Sequence, residues 1–349
     1  MTMSLTLYVD GDRWRRHMKE VRDAHPGIVP VAKGNGYGFG LARLGELATW
    51  LDVDTLAVGT YPEVARVSAT FDGTVLVLTP WRPHEQRAVY DDHVIHTVGR
   101  LEDLRALAGR SERPRVVLER MTSMRRHGFS ARELREAVQL WAQVGGVRLE
   151  GVAFHLPISQ GSHLTEVDRL MTDVVAAGMP AKRVWVSHLS DTELADLRHR
   201  YADFEFRPRI GTALWLGDRD ALRVRATVLD VHPVERGEVF GYRSRTAPKA
   251  GHILVVSGGT AHGIGLEAPT GGASLKDRAA RVAKGGLDAA GFVRSPYTIG
   301  GKQRLFAEPP HMQASMLFLP SGARVPEVGE EVDVRVRYTA TSFDETVIS

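Results

Sequence analysis

Short apolar runs alternate with stretches of helical periodicity between residues 28 and 209. Such runs predict buried strands, and apolar residues three or four positions apart predict amphipathic helices. The predicted strands span residues 28–32, 55–58, 74–78, 94–97, 115–118, 149–155, 184–186 and 204–209. The predicted helices span residues 12–25, 41–50, 62–69, 84–90, 101–107, 131–144, 165–177 and 191–201. Eight strands alternating with helices predict an α/β fold, a (β/α)8 TIM barrel, with a doubly wound open sheet as the alternative.

The pattern changes after Gly217, where most apolar runs alternate with polar residues as strands do. Strand-like segments occur at residues 222–231, 238–242, 252–256, 316–319 and 332–338, whereas residues 275–287 have helical periodicity. We therefore predict a barrel over residues 10–217 and a C-terminal mostly-β domain over residues 218–349, completed by a strand within residues 1–9. The glycine-flanked helical segment predicts an insertion in this domain at about residues 265–305.

The composition excludes several kinds of site. The 349 residues include 45 Lys and Arg, 42 Asp and Glu, and no Cys. Nearly balanced charge argues against a nucleic-acid surface, and the lack of Cys excludes disulfides and thiolate metal sites. The N-terminus lacks the apolar core of a signal peptide, and no run approaches the roughly 18 apolar residues of a membrane span. We expect a cytoplasmic protein that binds a small molecule rather than a metal, a nucleic acid or a membrane.

Polar and glycine residues gather at the carboxyl ends of the predicted barrel strands, the face on which barrels build active sites. They are Lys33, Glu119, Arg126, His155, His188, Thr192, Arg209, Gly211 and Thr212. Each has a structural alternative, such as a core histidine at His155 or a paired core arginine at Arg209. A lysine with flat and cationic partners, together with a glycine–hydroxyl pair suited to a phosphate, indicates pyridoxal 5′-phosphate.

Three barrel segments have distinctive sequences. Residues 33–40 read K-G-N-G-Y-G-F-G, residues 122–128 read T-S-M-R-R-H-G, and residues 209–212 read R-I-G-T. They resemble the motifs K-A-N-A-Y-G-H-G, T-G-M-x-R-x-G and R-x-G-I of the alanine racemase family, the fold type III pyridoxal-phosphate enzymes. The resemblance runs through the whole barrel and continues more weakly into the C-terminal domain.

The resemblance implies how the cofactor is held. Lys33 would carry the cofactor's imine and act as one catalytic base. Tyr37 and the hydroxyl of Thr192 would bind the phosphate, and Gly211 and Thr212 would line the same pocket after the eighth strand.

The resemblance also implies roles around the cofactor ring. Arg126 would contact the phenolic oxygen, and Glu119 would replace the carbamylated lysine that orients this arginine in many relatives. His155 would stack on the ring, with His188 hydrogen-bonded behind it. Arg209 would face the pyridine nitrogen and keep it unprotonated, which suits simple reprotonation of the substrate.

The second catalytic base departs from the family pattern. In the family, the second base is a tyrosine of the partner subunit, in the motif G-Y-A-D-G. Residues 259–263 here read G-T-A-H-G. The alcohol of Thr260 is a poor base. We hypothesise that His262 replaces it, because histidine titrates near neutral pH and an offset of two residues in extended chain keeps the same face. Tyr242 is a further candidate, and the alternative is that His262 is simply a loop residue.

We therefore predict an isomerase that interconverts L- and D-amino acids by proton transfer at Cα, working as a homodimer with sites shared between subunits. Arg126 and Met312 are the expected substrate contacts, but Gln313 replaces an aspartate of the family, which leaves the amino acid open. One alternative is a decarboxylase of the same fold, although such enzymes usually use a cysteine acid. The other is a degenerate homologue that binds the cofactor as a carrier or regulator.

Overall fold

The structure, a computed structural model, describes residues 4–158, 161–266 and 293–349. The chain divides into two compact units. One comprises residues 15–217, and the other comprises residues 1–14 and 218–349.

The described residues form strands and α-helices with the following bounds. The strands are β1 (Leu5–Val9), β2 (Val29–Ala32), β3 (Thr55–Val58), β4 (Thr74–Val77), β5 (Val94–Val98), β6 (Arg115–Arg120), β7 (Arg148–Phe154), β8 (Arg183–Ser187), β9 (Glu205–Ile210), β10 (Leu222–Val234), β11 (Val239–Phe240), β12 (Arg245–Thr246), β13 (Gly251–Ser257), β14 (Arg294–Ile299), β15 (Lys302–Phe306), β16 (Ala314–Pro320), β17 (Glu331–Val334) and β18 (Glu345–Ile348). The helices are α1 (Gly11–Ala24), α2 (Leu41–Trp50), α3 (Tyr61–Ser68), α4 (Leu101–Ala108), α5 (Ala131–Val144), α6 (Leu164–Ala176), α7 (Asp191–Arg200) and α8 (Thr212–Leu216).

Strands β2 to β9 form a closed parallel barrel. The barrel closes where Val29 of β2 pairs with Arg209 of β9, so the doubly wound open sheet is wrong. Successive side chains of a strand point to opposite faces, and inward residues such as Val31 and Trp185 pack together in the barrel core. Lys33 comes two positions after Val31. The same alternation therefore directs polar side chains at the strand ends toward the mouth of the barrel.

The predicted helix over residues 84–90 is wrong, because the chain between β4 and β5 forms turns. The apolar residues of this segment are consecutive in sequence, so they cannot form the stripe that holds a helix against a barrel. Side chains anchor the connection instead: Trp81 is buried, and its indole N–H donates to the Tyr90 hydroxyl at 3.0 Å.

The other unit contains an eight-stranded, mainly antiparallel sheet in the order β13-β16-β15-β14-β17-β10-β1-β18. Strand β10 also pairs with β13, which closes the sheet on itself. Strands β14 and β15 fall within the range predicted as an insertion, 265–305, but they belong to this sheet, and Tyr297 of β14 is fully buried. Residues 267–292, which include the predicted helix 275–287, lie outside the described residues.

The predicted fold, a TIM barrel followed by a mostly-β domain, is confirmed. No helix within the described ranges combines the length and apolar character that a membrane crossing requires. In the same ranges, no group of three or more His, Asp or Glu side chains is arranged to hold a metal ion.

Candidate active site

Lys33 stands just beyond β2, where the chain leaves the barrel wall. The glycine-rich stretch after it forms a 3₁₀ turn over Gly36–Gly38. The Lys33 side chain is open to solvent, yet the surrounding wall removes part of its water. This desolvation, followed by the positive charges of Arg126 and Arg209, lowers the pKa of Lys33, and the Glu63 carboxylate opposes the change. The amine is therefore easier to deprotonate than an ordinary surface lysine.

Tyr37 packs against the loop that follows β9. Its backbone is left-handed, with φ of 56°, and burial raises the pKa of its hydroxyl to about 12. A Cβ placed on Gly211 would lie 2.1 Å from the Tyr37 hydroxyl, so this contact requires glycine. Gly211 immediately precedes α8, and Thr212 begins that helix with its side chain exposed. The two loops thus bring the Tyr37 hydroxyl against Gly211, which directly precedes Thr212 in the chain.

Arg209 and Glu119 place opposite charges in the upper barrel. Arg209 is 7% exposed and donates through its terminal nitrogen to the Phe154 carbonyl at 2.8 Å. Burial lowers the pKa of Arg209 to about 10, which leaves it cationic at neutral pH. Burial raises the pKa of Glu119, while the charges of Arg209 and Arg126 oppose that rise. Arg209 Nε and Glu119 Oε2 make no hydrogen bond to any residue that the structure describes.

His155 and His188 present two neutral rings at the same end of the barrel. Their centroids lie 5.5 Å apart in an edge-to-face arrangement, and His155 Nδ1 lies 3.2 Å from the Ser187 hydroxyl. Burial, followed by the nearby positive charge of Arg209, lowers the pKa of His155 to about 3. The same two causes lower the pKa of His188. Neither ring adds positive charge to the site at neutral pH.

Thr192 lies in the first turn of α7, after the N-cap residue Ser190. Its hydroxyl is exposed and lies 3.1 Å from that of Ser190. Thr192 and His188 line an open cavity of about 730 Å³. All the barrel residues that the sequence singled out therefore lie at the carboxyl ends of the strands.

Glu63 was missed by the sequence reasoning, although it lies beside Lys33. Its carboxylate accepts hydrogen bonds from the backbone of Gly34 and Gly59, and it forms a capping box with Thr60 at the start of α3. The T-x-x-E spacing predicts the cap. It does not predict the bond to Gly34, because that residue comes from another strand–loop connection.

The surroundings of His262 differ from the extended chain that the sequence predicts there. Thr260–His262 is a 3₁₀ turn rather than extended chain, so an offset of two residues does not keep the same face. His262 is 6% exposed. Its Nδ1 accepts the Gly259 N–H at 3.2 Å, and its Nε2 lies 3.0 Å from the Asp344 carboxylate. Both nitrogens are engaged inside the C-terminal unit.

Tyr242, by contrast, is 87% exposed and lies near the same turn. Its ring centroid is 4.7 Å from that of His311, and the His311 carbonyl accepts the N–H of Thr260 at 2.8 Å. His311 Nε2 in turn lies 2.6 Å from the buried Glu308 carboxylate. Met312 is 70% exposed beside His311. This surface of the C-terminal unit therefore presents a phenol and a thioether next to the position where the family motif has tyrosine.

Comparisons with known proteins agree with the fold. A family profile described as alanine racemase, N-terminal domain, matches residues 9–218. The alanine racemase of Methylobacterium sp. (strain 4-46) is 29% identical over 283 residues, which cover 75% of this chain and 74% of that protein. The alanine racemase of Nitratidesulfovibrio vulgaris (strain Miyazaki F) is 26% identical over 273 residues, covering 71% of this chain and 72% of that protein.

Solved structures are similar over almost the whole chain. The alanine racemase of Bartonella henselae, crystallised with covalently bound pyridoxal phosphate, has a TM-score of 0.71 at 15% sequence identity. The similarity covers 97% of this chain and 92% of that one, which supports the same succession of barrel and β domain. Because the family profile spans more than half of the sequence, the chain belongs to the alanine racemase family.

Proposed function

We propose that this protein is a pyridoxal-phosphate-dependent amino-acid racemase that acts on alanine or a close relative. The observation that carries this function is the surroundings of Lys33. Its amine stands at the mouth of the barrel, where burial and the positive charges of Arg126 and Arg209 lower its pKa. Membership of the alanine racemase family supports the same function.

The residues present fit the cofactor. Buried polar atoms normally have partners, and Arg209 Nε and Glu119 Oε2 lack them among the described residues. The close contact between Tyr37 and Gly211 leaves a surface of hydroxyl and backbone that suits a phosphate. We propose that Lys33 binds the aldehyde carbon, that Arg209 faces the ring nitrogen, and that Tyr37 holds the phosphate end with Gly211, Thr212 and Thr192.

The bound cofactor supplies an electron sink for negative charge on the substrate's α-carbon. Lys33 Nζ removes or returns the α-proton on one face of the substrate. Arg209 remains charged, so it disfavours protonation of the ring nitrogen and limits the sink to what proton exchange requires. His155 offers a flat, uncharged surface for the ring, with His188 behind it. We propose that Arg126 also contacts the substrate.

Racemisation needs a proton donor on the opposite face as well. We assign this role to Tyr242 of a second copy, in a homodimer that completes each site, with Met312 of the same copy against the substrate. The exposure of Tyr242 and its contact with His311, which borders Thr260, support this choice over the buried His262. The cytoplasmic location stays a prediction.

Purified protein with added pyridoxal phosphate, incubated with L-alanine or L-serine in deuterated water, tests this function. We expect visible absorbance from the bound cofactor, deuterium at Cα and formation of the D-enantiomer. Release of carbon dioxide indicates the decarboxylase alternative. Cofactor binding without exchange indicates a carrier or regulator, and either result contradicts the proposal. Deuterium exchange at Cα without formation of the other enantiomer would agree with the role of Lys33 and contradict the role proposed for Tyr242.

A further inference from the structure

We propose that Glu63 is a positioning residue for Lys33: its carboxylate fixes the backbone that carries the lysine and balances the cations around it. This role rests on the proposed function of Lys33. It gives a function at the barrel mouth to a residue of helix α3 that lies outside the family motifs quoted above and is not at the end of a strand.

The carboxylate joins two neighbouring strand ends. Glu63 Oε1 accepts the N–H of Gly34 at 2.8 Å, and Gly34 directly follows Lys33 with φ of +63°. Glu63 Oε2 accepts the N–H groups of Gly59 at 2.6 Å and Thr60 at 3.0 Å, just beyond β3. One side chain thus fixes the direction in which the chain leaves both β2 and β3. Hydrogen bonds to a charged acceptor are among the stronger ones in proteins.

The packing around Gly59 brings these groups together. A Cβ on Gly59 would lie 3.2 Å from the Cβ of Lys33 and 3.0 Å from Glu63 Oε2. Any side chain there would press on the lysine and on the carboxylate at once. Gly59 therefore allows Glu63 and Lys33 to occupy adjoining space.

The charges facing Lys33 give the carboxylate a second effect. The titratable and charged groups that act on the lysine are Glu63, Arg126, Arg209, His155 and His188. Both histidines are neutral at pH 7, because burial lowers their pKa values. Among these described neighbours, Glu63 is the group that raises the pKa of Lys33, against two arginines that lower it. It keeps the amine able to bind a proton as well as to release one, as a two-way proton transfer requires.

Lysine acetylation of the cofactor-free protein tests this role. The rate at Lys33, identified by peptide mass mapping, is followed against pH, with Lys182 in the same digest as the reference. In Glu63→Gln we expect the pH profile of Lys33 to move to lower pH, so that acetylation at neutral pH is roughly twofold faster. Glu133→Gln is the matched control, because Glu133 forms the same capping box with Ser130 on α5. It should lose the cap and leave the Lys33 profile unchanged.

Glu63→Asp provides the conservative rescue. It retains the charge with a shorter reach, so its Lys33 profile should return toward that of the wild type. An unmoved profile in Glu63→Gln overturns the proposal. So does a Glu63→Asp profile displaced as far as that of Glu63→Gln. An equal change in Glu133→Gln reduces the effect to helix capping and overturns it too. Because no cofactor is present, the result is independent of whether the protein racemises amino acids.

Discussion

The barrel mouth and the exposed surface of the C-terminal unit differ in the kind of backbone that positions their polar side chains. At the barrel mouth, Lys33, His155 and Arg209 each stand within or just beyond a parallel strand. In the C-terminal unit, the position of the family's catalytic tyrosine lies in a 3₁₀ turn, and His262 is directed inward to Asp344. The exposed phenol nearby, Tyr242, comes from a different part of the chain.

The difference shows what a scaffold preserves. A strand fixes the direction of every second side chain, so the residues of one barrel layer keep their orientation when their neighbours change. A turn gives no such guarantee, because one altered dihedral angle redirects the side chain. On the proposed function, the residues that would hold the cofactor lie at the ends of the barrel strands, whereas the proposed second proton donor lies on a loop beside the turn.

The largest expected effect is at the barrel mouth. Lys33→Ala should lower racemisation about 10³-fold or more, since it removes both the cofactor's attachment and one base. The measurement is the initial rate of D-alanine formation. Lys182→Ala is the control, because Lys182 lies over the Phe204 ring, at 4.6 Å from its centroid, and has no proposed role in the site. A Lys33→Ala rate close to that of the control would place the chemistry elsewhere.

The next effect separates the two candidates in the C-terminal unit. Tyr242→Phe should lower racemisation about 10²- to 10⁴-fold, because it removes one proton donor. Deuterium exchange of one alanine enantiomer should persist, through Lys33. His262→Asn should retain the rate but lower the free energy of unfolding by about 1–3 kcal/mol, since it disrupts buried hydrogen bonds. Chiral chromatography and urea unfolding measure the two quantities, and the reverse pattern contradicts our assignment.

A smaller effect probes the phosphate end of the barrel. Gly211→Ala should weaken cofactor binding about tenfold, because the new methyl group would meet the Tyr37 hydroxyl and force the loop apart. Equilibrium dialysis measures the affinity for pyridoxal phosphate. Gly109→Ala makes ordinary contacts, the nearest at 3.6 Å, and should bind as the wild type does. Equal affinities for the two variants would remove this contact from the binding site.

The last effect, which is the smallest at neutral pH, is on stability in acid. Burial lowers the pKa of His155 from 6.5 to about 3, so the unfolded chain binds a proton more readily than the folded one. The stability gained from the neutral ring is present above pH 6.5 and is lost as the pH falls toward 3. His155→Phe should reduce the slope of the unfolding free energy against pH, and the reduction should correspond to at most about one bound proton. Urea unfolding at several pH values measures the slopes, and parallel curves would mean that His155 is not desolvated.

The barrel was predictable because its signals are local. Apolar runs mark the strands, and alternation then fixes which polar residues reach the mouth. The contact between Glu63 and Gly34 was not predictable, because it joins separate connections. The 3₁₀ turn around His262 was not predictable either, because the sequence favoured extended chain at residues 260–262. The helix predicted at residues 84–90 is not formed, and the hydrogen bond between the side chains of Trp81 and Tyr90 joins the two ends of that connection instead.

The pairing of β1 with β10 has a consequence for synthesis. Val9 lies opposite Leu222, and the whole barrel is encoded between these two partners. During synthesis on the ribosome, all the barrel strands can emerge and pair before β10, the neighbour of β1, has been made. Strand β18 then adds to the other side of β1 in parallel. Strand β1 is thus made before the barrel but enclosed after it, and a chain released before β10 is made leaves β1 with both edges open to aggregation.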